Sequence, residues 1–355
     1  MSDERVLALG IETSCDDTAC AVVDSEGRVL STVVSSQLAA HRPYGGVVPE
    51  IASREHLRNW PLVNEAALAE AGVTLAEIDV IAATKGPGLI GALLVGLSIG
   101  KSIAYCLERS FQAVHHLEGH LFSPFLRVEG KVAEKPPGEF LGLVVSGGHT
   151  SLFQVEGGST TTLAETRDDA MGEVFDKVGK RLGLPYPQGP QVDELAERGN
   201  DTRLTLAIAR CSDGSLDFSY SGLKSQTLVE IQKLEAAGVQ TDIGGLADAD
   251  IPEEVLDLLA SFRVAAVEQI VDRLNRLHRQ HPIELLAVSG GVAANRLLRH
   301  RLEEWALGLD VNLRLVPLPY AGDNAAMIAH AALLRYGRGQ EDDPLTADAA
   351  SRIPL

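Results

Sequence analysis

The tetrapeptide Val-Ser-Gly-Gly occurs twice in this chain of 355 residues, at positions 145–148 and 288–291, each time at the end of an apolar stretch. A third apolar stretch, at residues 6–10, is followed by a polar turn. An apolar strand that ends in a small polar or glycine turn, repeated along one chain, indicates a duplicated architecture. Because helical patterns lie between these stretches, the sequence predicts mixed α/β layers.

The length of the chain and one linker-like segment predict two lobes. A domain usually contains about 100–200 residues, so this length favours two of them. Residues 128–139 combine charged residues with two adjacent prolines and a glycine, a composition typical of a linker. We therefore expect an N-terminal α/β lobe at residues 1–130 and a C-terminal α/β lobe at residues 131–355. A helix expected at residues 321–336 is free to pack back on the N-terminal lobe.

Charge and cysteine usage argue against several classes of protein. The chain has 31 Lys and Arg residues against 49 Asp and Glu residues, a formal net charge of −18, which argues against coating nucleic acid through bulk charge. No two of the four cysteines form a C-x-x-C pair, which argues against a zinc ribbon and a thioredoxin motif. The first residues show neither the basic nor the apolar region of a secretory signal, so we expect a cytoplasmic protein.

The most apolar part of the chain lies between Lys85 and Lys101. It is shorter than the ~20 residues that a membrane span needs, and glycines interrupt it, so we expect no association with a membrane. Residues 89–107 have the pattern of an almost wholly apolar helix, which predicts that this helix is buried.

The turns at residues 146–148 and 289–291, both Ser-Gly-Gly, are suited to binding a phosphate. Glycine lets the backbone approach an anion closely, and consecutive N–H groups then surround it. A helix that begins just beyond such a turn adds the positive end of its dipole. A tight turn after a strand explains either copy alone, whereas two copies at matching positions favour a phosphate site. The sequence contains no P-loop, and no dinucleotide fingerprint follows a strand.

His116 and His120 are four residues apart, so on a helix both imidazoles lie on one face and can bind one metal ion. His115 points elsewhere on such a helix. A solvent-exposed location explains the pair as well, and a metal site needs a carboxylate ligand whose position the spacing does not give. Glu118 lies between the two histidines rather than next to the first, which argues against the H-E-x-x-H site of zinc proteases.

Asp169, Glu173 and Asp176 fall on one stripe of a predicted helix. A solvated acidic face, balanced by the basic residues that follow, explains this stripe as well. Residues 183–190 contain three prolines and are not expected to form regular structure, because proline removes a donor and fixes φ. Asp193 follows just beyond, so this segment either lines a ligand-binding site or serves as a structural connector.

Nine motifs, spread over nearly the whole chain, carry a resemblance to a known family. They are GIETSCDD at 10–17, GGVVPEIASREH at 45–56, KGPGL at 85–89, HLEGH at 116–120, VSGGHT at 145–150, DDAMGE at 168–173, FSYSGLK at 218–224, SGGVAAN at 289–295 and DNAAM at 323–327. With these motifs in this order, the chain resembles the tRNA N6-adenosine threonylcarbamoyltransferase family, formerly described as O-sialoglycoprotein endopeptidases. It departs from the family pattern at Gln188, where the family usually has glycine.

The resemblance implies a two-lobed actin/hexokinase/Hsp70-like fold with a duplicated ribonuclease-H-like core, and an adenylate or ATP-type nucleotide in the cleft. It also implies one metal ion per subunit, iron(II) or zinc, held by His116, His120 and Asp323. The residues that it implies for substrate binding are Val144, Val145, Ser146, Gly147, Gly148, Asp176, Gly189, Asp193 and Asn295. No residue identifies itself as a general base.

The reaction implied by the resemblance transfers a threonylcarbamoyl group from threonylcarbamoyl-adenylate to N6 of adenosine 37, in tRNAs that read codons beginning with adenosine, and releases AMP. The implied partners are tRNA, a shorter homologous subunit and a small ATPase. Because the chain is acidic, either a local basic patch or these partner proteins must provide the contacts to tRNA. Two alternatives stay open: a small-molecule kinase of the same fold and a nucleotide-gated scaffold.

Overall fold

The structure, a computed structural model, consists of two compact units. Unit 1 comprises Met1–Pro137 and Val316–Leu355, and unit 2 comprises Gly138–Leu315. The boundary expected between residues 130 and 131 lies outside the described residues, as does most of the linker-like segment, and it stays a prediction. The residues that the structure describes are 5–127, 135–211 and 213–355.

The described residues form ten β-strands and ten α-helices. The strands are β1 (Leu7–Glu12), β2 (Asp17–Asp24), β3 (Val29–Ser36), β4 (Val80–Gly86), β5 (Ser110–His115), β6 (Glu139–Val145), β7 (Thr150–Glu156), β8 (Ser159–Glu165), β9 (Leu285–Ser289) and β10 (Asn312–Leu315). The helices are α1 (Leu38–His41), α2 (Pro49–Ala71), α3 (Ile90–Leu107), α4 (His116–Phe122), α5 (Met171–Arg181), α6 (Gln188–Ala196), α7 (Ser221–Ala236), α8 (Glu253–Gln280), α9 (Arg296–Leu309) and α10 (Ala325–Tyr336).

Each unit contains one five-stranded mixed sheet, and the two sheets have the same topology. The strand order is β3-β2-β1-β4-β5 in unit 1 and, read from the corresponding edge, β8-β7-β6-β9-β10 in unit 2. In both sheets the first three strands of the chain pair antiparallel. The first strand then pairs in parallel with the fourth, and the fourth with the fifth. This equivalence confirms the predicted duplicated α/β architecture.

The repeated Val-Ser-Gly-Gly does not mark that duplication. Both copies lie in unit 2, at the carboxyl ends of the neighbouring parallel strands β6 and β9. The two turns therefore meet at one edge of one sheet. Gly290 has a φ of +93°, and a Cβ built there would lie 2.3 Å from the carbonyl oxygen of Val145. Only glycine fits this close approach.

β1 is buried along its whole length because both faces of the sheet in unit 1 are covered. Ala8 packs in the apolar cluster formed with α10, whereas Leu9 and Ile11 pack in the cluster formed with α2 and α3. A Cβ at Gly10 would lie 2.2 Å from the carbonyl oxygen of Ala325. α10 thus packs directly on the backbone of β1, and this contact fixes the start of α10 beside the sheet.

The prediction that the apolar helix at residues 89–107 is buried is wrong for one of its faces. Leu93 and Leu97 of α3 are buried, whereas Leu94 is 44% and Tyr105 is 62% exposed. α3 lies against β4 and α2, and these elements cover only one side of it. Among the described helices, α3 has the length and apolar composition of a membrane span. This is weak evidence for a span, because a helix that packs on a sheet in this way passes the same test.

Candidate functional site

Three side chains of unit 1 converge at the ends of two helices. His116 begins α4 directly after β5, His120 lies one turn further along, and Asp323 precedes α10. The Nε2 atoms of His116 and His120 lie 3.5 Å and 3.0 Å from Oδ1 of Asp323. The ligand atoms of the three residues all lie within 4.8 Å of one another. The structure therefore brings together the two histidines paired by spacing and the aspartate implied by the resemblance.

The surroundings of the two histidines argue against a solvated surface pair. His116 is 6% exposed and His120 is fully buried. Their rings are perpendicular, with centroids 4.8 Å apart, as expected for residues four positions apart on one helix face. Asn324 fixes the backbone on both sides of Asp323. Its side chain accepts a hydrogen bond from the N–H of Met327, which caps α10, and donates one to the carbonyl of Gly322.

Glu12 is a residue of this site for which the sequence analysis assigned no role. Its Oε2 lies 3.0 Å from Nδ1 of His116, which leaves Nε2 of that ring directed at Asp323. The same carboxylate accepts hydrogen bonds from the N–H of Ser14 and the hydroxyl of Thr84. A carboxylate that holds the far nitrogen of a histidine is the usual support of a metal ligand. The signal in the sequence was a single charged residue at the end of an apolar strand.

The electrostatics of the cluster favour a positive charge between the carboxylates. Burial lowers the pKa of His116, but the charges of Asp323 and Glu12 outweigh burial and raise this pKa well above its ordinary value. Burial raises the pKa of Asp323, but the charge and hydrogen bond of His116 outweigh it and hold this pKa well below its ordinary value. The pKa of Glu12 is lowered for the same reason, against the effect of its burial.

The donor set fits iron(II) or zinc. Two imidazoles and one carboxylate, with room for further ligands, are the set that non-haem iron(II) and catalytic zinc sites use. Within the described residues, Nδ1 of the buried His120 has no hydrogen-bond partner, so this ring is held only through its Nε2 side. Both metals accept these ligands, and the residues do not select between them.

His115 points away from this cluster, as predicted. Its Nδ1 accepts a hydrogen bond from the N–H of Leu117 and so caps α4. Its Nε2 lies 3.2 Å from the carbonyl oxygen of Ile353. Burial lowers the pKa of His115 to about 4, so the ring is neutral at physiological pH.

The other residues expected to bind substrate lie in unit 2, beginning with the turn after β6. Val144 and Val145 are buried in the strand, and the hydroxyl of Ser146 accepts a hydrogen bond from the N–H of His149. A Cβ at Gly147 or Gly148 would meet no atom within 4 Å, so space lies beside both glycines. The turn thus combines a fixed first residue with an open backbone, as an anion site requires.

Asp176 and Gly189 meet at the start of α6. Oδ1 of Asp176 accepts hydrogen bonds from the N–H groups of Gln188 and Gly189, at 3.0 Å and 2.7 Å. The expectation that residues 183–190 lack regular structure is wrong at its end, because α6 begins at Gln188. Pro190 is compatible with this start, since the first turn of a helix needs no N–H from that position.

Asp193 and Asn295, which are 102 positions apart, are in direct contact. Nδ2 of Asn295 donates to Oδ1 of Asp193 at 2.5 Å, while its own oxygen caps α9 at the N–H of Leu298. The buried Arg263 of α8 donates to the same Oδ1 at 3.2 Å. Burial raises the pKa of Asp193, and Arg263 opposes that rise. The sequence analysis missed Arg263, although a charged residue within an apolar helix pattern was visible there.

The acidic stripe at the start of α5 separates into two roles. Asp169 and Glu173 form ion pairs with Lys177, as expected for a balanced acidic face, whereas Asp176 turns to α6. The preceding Asp168 accepts hydrogen bonds from the hydroxyls of Ser219 and Ser221. These contacts join two of the motifs, at 168–173 and 218–224, into one structural network.

The comparisons with known proteins agree with these features. The family model of tRNA N6-adenosine threonylcarbamoyltransferase matches residues 28–330. A protein of that name from Trichlorobacter lovleyi is 46% identical over 354 residues, which cover 99% of this chain and 97% of the relative. Another of that name, from Geobacillus kaustophilus, is 43% identical over 355 residues, which cover 99% and 98%.

Two solved structures share the fold at low sequence identity. HypF of T. kodakarensis has a TM-score of 0.58 and 15% identity, covering 96% of this chain and 49% of its own. Component A of (R)-2-hydroxyglutaryl-CoA dehydratase from Acidaminococcus fermentans has a TM-score of 0.53 and 14% identity, covering 94% and 99%. At such identity they establish the fold alone, and the predicted two-lobed actin/hexokinase/Hsp70-like class is confirmed.

Matches over nearly the full length, at more than 40% identity, leave no doubt about the relationship. The chain is therefore a member of the tRNA N6-adenosine threonylcarbamoyltransferase family.

Proposed function

We propose that this chain is a tRNA-modifying acyltransferase that transfers a threonylcarbamoyl group from threonylcarbamoyl-adenylate to N6 of adenosine 37, in tRNAs that read codons beginning with adenosine. The exocyclic amine forms a bond to the acyl carbon, the bond from that carbon to the phosphate oxygen breaks, and AMP and a proton leave. The observation that carries the proposal is the buried cluster of His116, His120 and Asp323 in a chain of this family.

The three clustered residues would hold one iron(II) or zinc ion, which when bound supplies a Lewis acid and a fixed point for the threonylcarbamoyl group. Glu12 holds the ring of His116 through Nδ1, so that Nε2 is presented as a ligand. No residue of the chain needs to act as the nucleophile, because the attacking amine belongs to the tRNA. The main contribution of the chain is therefore alignment of a weak nucleophile with the acyl carbon.

The residues of unit 2 would bind the adenylate. The N–H groups of Gly147 and Gly148 are suited to the phosphate, which gains charge as AMP leaves, and such fixed dipoles stabilise developing charge. Asp193 and Asn295 form one polar pair suited to the ribose hydroxyls. Asp176 shapes this part of the site indirectly, because it fixes the backbone at Gly189.

Partner proteins are part of the proposal. Exposed apolar side chains on the packed pair α2 and α3, here called the apolar face, comprise Leu57, Leu62, Ile90 and Leu94. Exposed apolar side chains on two helices that pack together support binding of another protein, and we assign the face to the shorter homologous subunit. A small ATPase is the second partner, and the complex acts in the cytoplasm. Partners also relieve the repulsion between tRNA and a chain of net charge −18.

The test is a reconstituted assay with unmodified tRNA, threonine, bicarbonate, ATP, the enzyme that makes the adenylate, and both partners. The modified adenosine and AMP are expected with the wild-type chain. The variants His116→Ala and Asp323→Ala should lose the activity, whereas His300→Ala, at an exposed position of α9, should keep it. Absence of the modified adenosine, when a related enzyme works in the same assay, would overturn the proposal. Transfer of a phosphate from ATP to a small molecule, with release of ADP by the chain in the absence of the ATPase partner, would favour the kinase alternative.

A further inference from the structure

The chain after α10 runs across unit 1 as an irregular segment, residues 340–355, here called the C-terminal strap. Its first part is tied to β5, where the carboxylate of Asp342 accepts from the N–H of Ala113. Its middle part packs Ala347 and Ala349 against the apolar cluster of α2 and α3. The strap is therefore anchored in the core of unit 1 before its last residues reach His115, the neighbour of the candidate ligand His116.

The end of the strap contacts His115, which caps the helix that carries both candidate histidine ligands. The carbonyl oxygen of Ile353 lies 3.2 Å from Nε2 of His115, which is 3% exposed. Since Nδ1 of this ring accepts from the N–H of Leu117, its proton must sit on Nε2, which donates to Ile353. The imidazole of His115 thus links the strap to the first turn of α4, which begins with His116.

A second path leads from the strap to the same ligand through the Lys-Gly-Pro-Gly loop at 85–88. The N–H of Ala350 donates to the carbonyl of Lys85, and the N–H of Gly88 donates to the carbonyl of Ser351. A Cβ at Gly86 would lie 2.1 Å from the carbonyl oxygen of Ala350, so the loop and the strap touch backbone to backbone.

The loop in turn touches the turn that supports His116. A Cβ at Gly88 would lie 2.5 Å from the carbonyl oxygen of Ser14, and the N–H of Leu89 donates to that oxygen. The hydroxyl of Ser14 lies 3.3 Å from Nδ1 of His116. The strap therefore reaches His116 from two directions, through α4 and through the turn after β1.

We propose that the end of the C-terminal strap, residues 351–355, together with the positioning residue His115, holds α4 and the turn at Ser14 in the geometry that binds the metal ion. This inference rests on the proposed metal site. Groups that support a metal ligand from behind typically contribute 10- to 100-fold to metal affinity. The strap acts through His115 and Ser14 rather than on a ligand directly, so loss of its contacts should raise the dissociation constant of the metal by up to about tenfold, while the sheet and helices of unit 1 remain folded.

Two variants remove contacts of the strap, and a third variant is a control that keeps them. Deletion of residues 351–355 removes the carbonyls of Ser351 and Ile353. His115→Asn keeps an acceptor near the position of Nδ1 and is too short to reach Ile353, so it removes the strap contact with α4 but keeps the cap. Ile353→Ala is the matched control, because it shortens the side chain and keeps the carbonyl that His115 contacts.

The measurements are the zinc dissociation constant, by competition with a chelating dye, and the thermal unfolding of the metal-free chain in chelator. We expect weaker zinc binding for the deletion and for His115→Asn, with less than additive effects when they are combined, and wild-type binding for Ile353→Ala. Unchanged zinc binding in His115→Asn and in the deletion would overturn the inference, and so would a loss of thermal stability alone. If the deletion does not fold, His115→Asn decides.

If the proposed metal site itself is wrong, the zinc titrations will give a different result. In that case the wild-type chain would bind no zinc, or His116→Ala would bind zinc as well as the wild type. That result would overturn both the proposed metal site and the role of the strap, whereas strong wild-type binding with unaffected variants would overturn only the strap.

Discussion

The carboxylate of Glu12 illustrates how one residue organises the candidate metal site. It closes β1, accepts from a backbone N–H and a hydroxyl of neighbouring elements, and holds Nδ1 of His116. A buried carboxylate with these partners stays charged, and its charge contributes to the raised pKa of His116. The residue therefore determines both the orientation and the charge of one candidate metal ligand, His116.

Glu12→Gln is expected to weaken zinc binding by about 10- to 100-fold, because the amide keeps the shape of the side chain but removes its charge. Titration with zinc in competition with a chelating dye measures this. Glu26→Gln, at a side chain that is 62% exposed in the same unit, is the control and should bind zinc as the wild type does. Equal affinity of the two variants would contradict the assigned role of Glu12.

The pH dependence of zinc binding follows from the pKa of His116. A metal ion must displace the proton from its ligand, and Asp323 and Glu12, against the effect of burial, raise this pKa well above 6.5. Zinc affinity should therefore decrease as the pH falls, and the decrease should begin above the ordinary pKa of histidine. Glu12→Gln should move it to lower pH. Dissociation constants measured from about pH 6 to about pH 8 check this, and a constant affinity above the ordinary pKa would refute it.

Some residues of the site could be predicted from the sequence and others could not, for physical reasons. The spacing of His116 and His120 fixes their common face on any helix, so the pair needs no tertiary information. Asp323 lies 203 positions away from His120, and only the resemblance to a family connected them. Glu12 and Arg263 act through contacts across the fold, and no spacing rule describes such contacts.

At the scale of elements, the packing of α10 on β1 decides where Asp323 lies. Gly10 allows this packing because the carbonyl oxygen of Ala325 occupies the space that a side chain at this position would need. The apolar stretches that became β1, β6 and β9 were readable in the sequence, since such stretches are local. The exposure of one face of α3 was not, because an apolar helix with a free face and one buried on all sides have the same composition.

Gly10→Ala is expected to destabilise unit 1 by about 1–3 kcal/mol, because the added methyl group forces α10 away from the sheet. Zinc binding should weaken in the same variant, since Asp323 lies two positions before α10 and moves with its start. Denaturant unfolding and zinc titration measure the two effects. Gly46→Ala is the control, as a Cβ there meets no atom within 4 Å. A Gly10→Ala variant as stable as this control would show that the contact is not tight.

At the scale of the whole molecule, the acidic charge supports the proposal that partner proteins help to bind tRNA. A chain with a net charge of −18 repels the phosphates of tRNA at long range, and any basic cluster must act locally. The mixed α/β layers followed from the order of apolar stretches and turns, whereas the actin/hexokinase/Hsp70-like class followed only from the resemblance to a family. Charge alone does not identify which protein brings the tRNA.

The isolated chain is expected to bind tRNA with a dissociation constant weaker than about 10 μM at physiological salt, because bulk charge opposes binding. Addition of both partners should tighten binding and increase its dependence on salt, as more phosphates are contacted. Fluorescence anisotropy with labelled tRNA at several salt concentrations measures this. Leu62→Glu on the apolar face should abolish the gain, whereas tight binding by the chain alone would contradict the requirement for partners.

Unit 1 is built from two stretches of chain that are separated by the whole of unit 2. During translation residues 1–137 leave the ribosome long before α10 does. Until α10 emerges, the face of the sheet on which it packs stays uncovered. Unit 2 is continuous and can fold in the meantime. A nascent chain therefore lacks the complete candidate metal site until α10 emerges, because Asp323 directly precedes this helix.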